Sequence, residues 1–305
     1  MHGLTPSTAA ALACYARQYI DQIHRIYGVT ERKAFQVIPL SNPIPLNRER
    51  LAHVRQRAEQ YRCLEKSDGV RYALLLTISG DGTARAVMVN RAGDCFLIVA
   101  SAPPPFFINQ SLFDGELVFD RVDGSLRYLV FDAVQIGGWS LLFTPAAERM
   151  RACADAVPSI TTNGFEVVMK TAVPLDRVHE LLGVDVAHAT DGVILLDAAA
   201  PVETYFTQTT FKHKTIQTVD VKVGRDGRLV TRDGCDVRNL TDRPIQASDD
   251  IQSLPADAIA ELKCQPLECG GLRLELVRLR ADKKIANHSR CVRETFELAF
   301  DVTLL

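Results

Sequence analysis

A chain of 305 residues, 47% of them apolar and 24% charged, has enough core-forming material for one large or two medium globular domains. Its formal net charge of −2 excludes binding to nucleic acid through a general positive field, so such a partner would need a local basic surface. We expect no membrane span and no secretion signal, because no apolar run has transmembrane length and no leader pattern is present.

The cysteines are expected to be reduced thiols. None of them forms a Cys-x-x-Cys pair, and Cys264 and Cys269 lack the second pair or nearby histidine that would complete a zinc site. A long chain with no secretion signal is expected in a reducing compartment, where disulfides are rare. The eight positions are Cys14, Cys63, Cys95, Cys153, Cys235, Cys264, Cys269 and Cys291.

The N-terminal region predicts a helix, an extended segment and a second helix. Residues 5–8 form a helix start, and apolar residues keep helical spacing until Gly28. We interpret this helix as an amphipathic scaffold. The proline-rich segment 37–46 must run extended, and Asn47 then caps a charged helix through about Gln60.

Lys66 lies directly before an Asp68-Gly69 turn signal and the strand-like run 72–78. A turn at the mouth of a sheet fixes a side chain against a cleft. A lysine that lies beside other cations, or is partly desolvated, loses its proton more easily and becomes a nucleophile. The alternative is an exposed lysine in a hairpin loop, since the pattern has only three fixed letters.

Residues 72–134 predict antiparallel strands that are separated by clear turns at 79–82, 90–94 and 122–125. Two stretches in this region combine apolar strands with acidic residues, namely Asp114-Gly115-Glu116 and Phe131-Asp132. Each alone is also explained by a hairpin turn or a core strand.

Helices are predicted at about 145–156 and 174–182, followed by an apolar strand that opens with Asp191-Gly192. Lys212 and Lys214 lie two apart on the next strand, so they point to the same face. In a cleft they would form a phosphate clamp, whereas on an exposed strand they would be ordinary surface charges.

The C-terminal region predicts a small β domain. A hairpin joins strands at 219–223 and 229–231, and residues 272–279 alternate as a half-buried strand. The charged segment 280–288 contains Arg280, Asp282 and Lys283 and ends in Asn287-His288, and a helical pattern closes the chain.

These segments resemble, in order, the motifs of the lysine nucleotidyltransferases, which comprise mRNA capping enzymes and ATP-dependent ligases. The resemblance runs from about residue 37 to 295. Ligases usually carry Glu-Gly where this chain has Asp191-Gly192, and segment 280–288 is also similar to capping enzymes, the GTP:RNA guanylyltransferases. The chain departs from them at His213, where many have Trp, and in the proline-rich segment 37–46, which lacks the usual Gly and Gln.

The resemblance implies an α+β fold. It places a nucleotidyltransferase (ATP-grasp-like ligase/capping-enzyme) domain with antiparallel sheets and helices at 1–217, and a C-terminal OB-fold β-barrel domain at 218–305. A terminal helix at 290–302 is expected to pack back on the first domain. A hinge near 215–220 would let the second domain close over the nucleotide.

The resemblance also implies the site residues. Lys66 is the covalent nucleophile, and Lys212 and Lys214 are catalytic cations at the α-phosphate. Two acidic residues, Glu116 and Asp191, would hold Mg²⁺ or Mn²⁺ beside the triphosphate. The nucleotide-binding residues are Arg71, Arg91, Phe131, Lys170, Asp220, Arg280, Asp282 and Lys283.

The implied activity transfers GMP from GTP to the 5′-diphosphate end of RNA. The expected partners are GTP, that RNA, a separate RNA triphosphatase and cap methyltransferase, and RNA polymerase, with no membrane partner. We expect a nuclear location, with the cytoplasm or a viral replication site as alternatives. Two other functions stay open: an ATP-dependent RNA or DNA ligase, and an inactive relative that binds nucleic acid.

Overall fold

A computed structural model describes residues 6–30, 36–182, 186–281 and 283–300, with side chains from residue 17 onward. The chain divides into two compact units. One contains residues 1–46 and 54–213, and the other contains residues 47–53 and 214–305. The domain boundary at 217–218 that the resemblance implies stays a prediction.

Residues 6–214 contain most of the helices and strands. In chain order they are α1 (Pro6–Tyr27), β1 (Asn42–Pro45), α2 (Arg48–Gln56), β2 (Tyr61–Ser67), β3 (Val70–Ile78), β4 (Ala84–Asn90), β5 (Cys95–Ile98), β6 (Ala100–Ser101), α3 (Pro104–Ile108), β7 (Ser111–Phe119), β8 (Leu126–Ile136), β9 (Trp139–Ser140), α4 (Ala146–Ala156), β10 (Thr161–Thr162), β11 (Glu166–Met169), β12 (Ala172–Pro174), β13 (Thr190–Asp197) and β14 (Phe206–Lys214). Short 3-10 helices lie at Ala58–Gln60, Val157–Ser159 and Leu175–Glu180.

The remaining residues form a smaller set of elements. They are β15 (Gln217–Val223), β16 (Leu229–Val230), β17 (Ile245–Ala247), α5 (Asp249–Gln252), β18 (Ile259–Pro266), β19 (Leu272–Leu279) and α6 (Ser289–Ala299), with a 3-10 helix at Val237–Leu240.

Two large sheets build the first unit. One has the strand order β1-β14-β13-β2-β12, and the other has the order β11-β8-β7-β3-β4-β5, with β9 beside β8. The apolar run in β3 is buried on both faces: Leu74 and Leu76 belong to one core, while Leu75 belongs to the core that includes Ile23 of α1. A strand covered on both faces reads as a continuous apolar run, which explains this part of the sequence.

The turn at Asp68-Gly69 connects the two sheets. Strand β2, which carries Lys66, pairs with β12 and β13, whereas β3 pairs with β4 and β7. Lys66 is therefore not a hairpin-loop residue. It lies near the end of a strand of one sheet, just before the chain enters the other.

The second unit is a sheet with the strand order β16-β15-β18-β19-β17. The apolar face of α6, which includes Val292 and Phe296, packs in the same core as Val219, Leu262 and Leu274 of the strands. The mixed α+β class is thus confirmed. The strand order is compatible with the OB-fold, and a closed barrel stays a prediction.

The structure differs from the predicted elements in three places. The helix expected at about 174–182 is a short 3-10 helix, Leu175–Glu180, and helix α3 starts in the Pro103-Pro104-Pro105 run, where proline suits a first helical turn. The sheets are also not wholly antiparallel. Strands β1, β11 and β17 pair in parallel at sheet edges, because each is separated from its partner by a long crossover rather than a hairpin.

Across the described ranges, no helix combines the length and the apolar character that a bilayer crossing requires.

The cysteines with described side chains are free thiols that differ strongly in burial. Burial raises the pKa of both Cys63 and Cys264 to about 12, so neither is a thiolate near neutral pH, whereas Cys269 and Cys291 are exposed. We expect iodoacetamide at pH 8 to alkylate Cys269 and Cys291 and to leave Cys63 and Cys264 unmodified until the chain unfolds. Peptide mass spectrometry with and without denaturant measures this; equal labelling of Cys63 and Cys269 in the native protein would contradict it.

Candidate active site

The first unit contains a cleft of about 180 Å³ that side chains from both large sheets line. Six of the predicted site residues lie on its walls, namely Lys66, Arg71, Arg91, Glu116, Phe131 and Lys170. They are distributed over more than 100 residues of sequence, so the fold gathers the middle part of the predicted site into one cleft.

Lys66 is partly buried and contacts an acidic residue. Its Nζ lies 2.6 Å from Asp191 Oδ1, and the two side chains are 21% and 28% exposed. The β2–β13 ladder shifts register between Thr190 and Val193, which is where Asp191 lies. Such an irregularity re-aims a side chain out of the regular pleat. The amine thus lies at the cleft wall beside an anion instead of in open solvent.

The turn after Lys66 is anchored on two sides. Asp68 N donates to Ala189 O at 2.7 Å, and Gly69 N donates to Glu116 Oε1 at 3.2 Å. A Cβ atom on Gly69 would lie 2.4 Å from Leu117 O, a backbone atom that cannot move aside easily. Glycine is therefore required at this position by close approach of two backbone segments, and the approach sets Lys66 relative to Glu116.

Arg71 is held by a carboxylate on the neighbouring strand. Its Nε and Nη2 donate to the two oxygens of Asp114 at 2.9 and 2.5 Å, and Nη1 donates to Ser41 O at 2.6 Å. The guanidinium carbon lies 5.3 Å from the centroid of the Phe131 ring. This bidentate pairing fixes the guanidinium plane while leaving further N–H groups for a ligand.

A second bidentate pair lies beside the first, because Asp132 of β8 is directly opposite Asp114 of β7. Arg149 donates Nε and Nη2 to the Asp132 carboxylate at 2.7 and 2.8 Å, and its Nη1 donates to the carbonyls of Thr144 and Ala200 at 2.6 and 2.8 Å. Its side chain is only 2% exposed. Each of the two adjacent carboxylates thus has its own arginine.

Lys170 and Phe131 also line the cleft and lie near each other. Lys170 Nζ donates to Ser67 Oγ at 2.5 Å, lies 3.6 Å from Glu65, and is 5.9 Å from the Phe131 centroid. Burial lowers the pKa of Lys170, while the charges of Glu65 and Glu116 act against that change. Burial likewise raises the pKa of Glu116, which the charge of Lys170 opposes.

The two strand lysines lie at the C-terminal part of β14. Lys212 is the register partner of Pro45, and its carbonyl accepts from Leu46 N at 2.9 Å. Lys214 ends the strand and belongs to the second unit. Thr210, on the same strand, lines the cleft. The roles of Lys212 and Lys214 at an α-phosphate stay predictions.

Three predicted residues of the second unit, Asp220, Arg280 and Lys283, form a cluster. Arg280 Nη1 lies 3.0 Å from Asp220 Oδ1, and Lys283 forms an ion pair with the other oxygen of the same carboxylate. Asn287 Oδ1 accepts from Asp220 N at 2.7 Å. Asp282 lies outside the described residues. The nucleotide-binding roles of Asp220, Arg280, Asp282 and Lys283 stay predictions.

Two residues that line the cleft, Tyr27 and Glu65, were not singled out from the sequence, and neither was His188, which contacts Glu65. Tyr27 lines it from the end of α1, which was interpreted as a scaffold helix only. Glu65 and His188 contact each other beside Lys170, although they stand 123 positions apart. The available signal was positional: Glu65 precedes the candidate nucleophile, and His188 shortly precedes Asp191.

The acidic residues fit a metal ion that arrives with a polyphosphate. Among the described residues, no group of three or more His, Cys, Asp or Glu side chains is placed to hold a metal by itself. Nevertheless, Asp191 contacts Lys66, and Glu116 contacts Gly69 in the turn that follows Lys66. Mg²⁺ is commonly held by one or two carboxylates together with substrate phosphates and water, which matches this pair.

Sequence comparisons give a family. The model of the mRNA capping enzyme catalytic domain matches residues 9–216. The chain is 33% identical over 143 residues to the mRNA-capping enzyme subunit alpha of Neurospora crassa, which covers 43% of this chain and 34% of that protein. It is 29% identical over 109 residues to the protein of the same description from Candida glabrata, which covers 30% and 24%. The chain thus matches about a third or less of the length of these relatives.

Solved structures of ligases are also similar. The mycobacterial DNA ligase D complexed with ATP and MES has 17% identity and a TM-score of 0.45, covering 80% of this chain and 95% of that one. The ligase domain of LigD from M. tuberculosis has 16% identity and a TM-score of 0.39, covering 74% and 91%. Both TM-scores are below 0.5, so the assignment depends on the sequence matches. Since the family model spans more than half of the 305 residues, this chain belongs to the mRNA capping enzyme catalytic-domain family.

Proposed function

We propose that this chain is an mRNA guanylyltransferase, which transfers GMP from GTP through a lysyl–GMP intermediate to the 5′-diphosphate end of RNA and so forms the GpppN cap. The observation that carries the proposal is the position of Lys66. Its amine lies partly buried at the wall of a cleft, 2.6 Å from Asp191, within the segment that matches the capping-enzyme family.

In the first step the Lys66 ammonium gives up one proton, for which Asp191 Oδ1 lies within hydrogen-bond distance. The freed lone pair forms a bond to the α-phosphorus of GTP. The bond from that phosphorus to the bridging oxygen breaks, and pyrophosphate leaves with the electron pair. This is nucleophilic catalysis by an amine that its surroundings hold in place.

In the second step an oxygen of the terminal phosphate of 5′-diphosphate RNA attacks the same phosphorus. The N–P bond breaks, and Lys66 regains a proton as it leaves. Both steps place negative charge on phosphoryl oxygens, so catalysis depends on positioning and on electrostatic stabilisation. Lys212 and Lys214 are proposed for that task.

The base and the ribose would lie between Phe131 and the charged walls of the cleft. Phe131 offers an aromatic face for stacking, and the Lys170 amine beside it is a donor that suits an oxo group. A 6-oxo purine presents an acceptor there, whereas adenine presents a donor, so the arrangement favours GTP over ATP. Arg71 and Arg91 line the same cleft and are proposed to contact the ribose and the phosphates.

Glu116 and Asp191 would hold the divalent ion, Mg²⁺ or Mn²⁺. When bound, such an ion neutralises phosphate charge and orients the leaving group. Gly69 N–H donates to Glu116 and Lys66 pairs with Asp191, so the turn that follows Lys66 orients both carboxylates.

Further partners and location are also proposals. The relatives are described as a subunit alpha, which we take to favour a capping assembly that contains other chains. We propose a separate RNA triphosphatase and cap methyltransferase, with RNA polymerase as a further partner. The proposed location is the nucleus.

Labelling with α-³²P nucleotides tests the function. Incubation with labelled GTP and Mg²⁺ or Mn²⁺ should leave acid-labile label on the protein, and addition of 5′-diphosphate RNA should move that label to the RNA end. Label from ATP and not from GTP would instead identify a ligase. If neither GTP nor ATP labelled the protein, the alternative of an inactive relative that binds nucleic acid would be favoured.

Replacing Gly69 with alanine is expected to lower the rate of lysyl–GMP formation by about 100-fold while the chain still folds, since misplacing a reacting group by about 1 Å costs that much. The added Cβ would lie 2.4 Å from Leu117 O and would push the Lys66 turn away from Glu116. Gly80→Ala is the matched control, because nothing lies within 4 Å of its Cβ position. Single-turnover labelling measures the rates, and equal rates in the two variants would contradict the close-approach explanation.

A further inference from the structure

We propose that Glu65 and His188 are positioning residues for base selection: His188 holds Glu65, Glu65 holds the Lys170 ammonium beside the Phe131 ring, and this arrangement determines the preference for purines with a 6-oxo group. The inference rests on the proposed function, since it concerns the base of the nucleotide that the cleft would bind. It assigns roles to two residues that neither touch the reacting phosphorus nor belong to the predicted site.

The contacts form a continuous hydrogen-bond network from His188 to Lys170. Glu65 Oε1 accepts from His188 Nε2 at 2.7 Å and from Ser67 Oγ at 2.8 Å. Ser67 has a single hydroxyl proton, which it donates to Glu65, so its lone pairs are available to Lys170 Nζ at 2.5 Å. Lys170 also lies 3.6 Å from Glu65 directly. The donor and acceptor directions are consistent at every link when Nε2 of His188 carries the proton.

Because Lys170 is buried, its ammonium needs these hydrogen-bonding partners. Lys170 is 8% exposed and Ser67 is 1% exposed, so the ammonium has little solvent to stabilise it. A buried cation without a carboxylate partner is costly and tends to lose its proton. Burial alone would raise the pKa of Glu65, but the hydrogen bond from His188, the charge of Lys170 and the bond from Ser67 together leave that pKa lowered. Glu65 therefore stays a carboxylate and supplies the compensating charge.

The segment that carries His188 is itself fixed. Ala187 O accepts from Arg121 N at 2.6 Å, and Ala189 O accepts from Asp68 N at 2.7 Å, so the backbone is tied on both sides of the imidazole. Asp68 belongs to the turn after Lys66. The His188–Glu65 contact therefore joins the strand that carries the nucleophile to the loop that precedes Asp191.

The arrangement sets which base is accepted. The Lys170 ammonium has three N–H donors, one of which goes to Ser67, and the amine lies 5.9 Å from the Phe131 centroid at the cleft. A base stacked on Phe131 with an oxygen at C6 gives the remaining donors an acceptor. A base with hydrogen at C6 gives them none, so its binding does not depend on how Lys170 is held.

Three ligands and three variants test this. GMP and IMP carry the 6-oxo group, whereas 2-aminopurine riboside monophosphate does not, and none of the three can release pyrophosphate. Glu65→Gln keeps the shape and removes the charge. His188→Leu removes the donor to Glu65, while His188→Gln retains an N–H donor near the position of Nε2. Titration calorimetry gives the dissociation constants, and thermal unfolding confirms that each variant is folded.

We expect Glu65→Gln to raise the dissociation constants of GMP and IMP by about 10- to 100-fold, which corresponds to the loss of a hydrogen bond to a charged group. The dissociation constant of 2-aminopurine riboside monophosphate should change by less than about threefold. His188→Leu should also raise the dissociation constants of GMP and IMP, and His188→Gln should bring them back toward the wild-type values. In labelling assays Glu65→Gln should raise KM for GTP more than it lowers kcat.

The inference would be overturned if Glu65→Gln raised the dissociation constants of all three ligands equally, or raised none of them. Failure of His188→Gln to recover what His188→Leu loses would overturn the role of His188. Because these ligands bind without reacting, the result stands apart from the proposed function. If the wild-type chain forms no lysyl adduct, the proposed transferase activity fails, while the affinities still decide whether Glu65 and His188 select the base.

Discussion

Replacing Lys66 with alanine is expected to lower covalent labelling by α-³²P GTP by at least about 1,000-fold, because the variant has no amine to form the N–P bond. Lys66 Nζ is partly buried and lies 2.6 Å from Asp191 at the cleft wall, which is the placement such a nucleophile needs. Gel autoradiography after acid-free denaturation measures the adduct, and the position of the label can be read by peptide mapping.

Two controls make this result specific. Lys66→Arg keeps a positive charge beside Asp191 but offers a guanidinium that does not deprotonate in proteins, so it should label as poorly as the alanine variant. Lys222→Ala removes a half-exposed lysine that pairs with Asp257 in the second unit and should label normally. Label at the wild-type level in Lys66→Ala would mean that another lysine, such as the buried Lys170, is the nucleophile.

Replacing Arg149 with methionine is expected to lower the free energy of unfolding by about 3–5 kcal/mol, because it leaves one carboxylate of a largely buried pair uncompensated. Arg149 is 2% exposed and donates twice to Asp132, and the carbonyls of Thr144 and Ala200 would also lose a donor. Denaturant unfolding followed by tryptophan fluorescence and circular dichroism measures the loss.

Two control variants test whether the loss of stability comes from leaving a buried carboxylate without a partner. The double variant Arg149→Met, Asp132→Leu removes both charges and should recover part of the stability, since two apolar side chains can replace a buried ion pair. Arg177→Met breaks a pair with Glu180 that lies in solvent and should leave stability unchanged. If Arg149→Met were as stable as Arg177→Met, the pair at the cleft would contribute nothing to the fold.

The strand pattern could be predicted because it is local. Strand β19 occupies Leu272–Leu279, the range that its alternating residues indicate, and α4 ends at Ala156 as its spacing predicts. Apolar periodicity and turn residues act within a few positions, so they determine which segments become helices or strands. The order of short motifs around Lys66 similarly gave the family that the comparisons support.

Pairing between segments could not be predicted in the same way. The turn at Asp68-Gly69 resembles a hairpin, yet β2 and β3 enter different sheets. Nothing in the local pattern chooses a partner strand, because a strand can satisfy its backbone hydrogen bonds with several neighbours, and the burial of both faces of β3 decides between them.

The sequence by itself predicted most of the helices and strands, and its ordered polar motifs implied the α+β class and the family. The role of Lys66 as the nucleophile stays a prediction. Only the tertiary structure showed that Glu65 contacts His188, that Arg149 neutralises Asp132, and that Tyr27 lines the cleft. Each of these contacts joins residues from different elements whose meeting depends on strand order and register. Buried charges must find partners wherever the fold places them, and that requirement has no local signature in the chain.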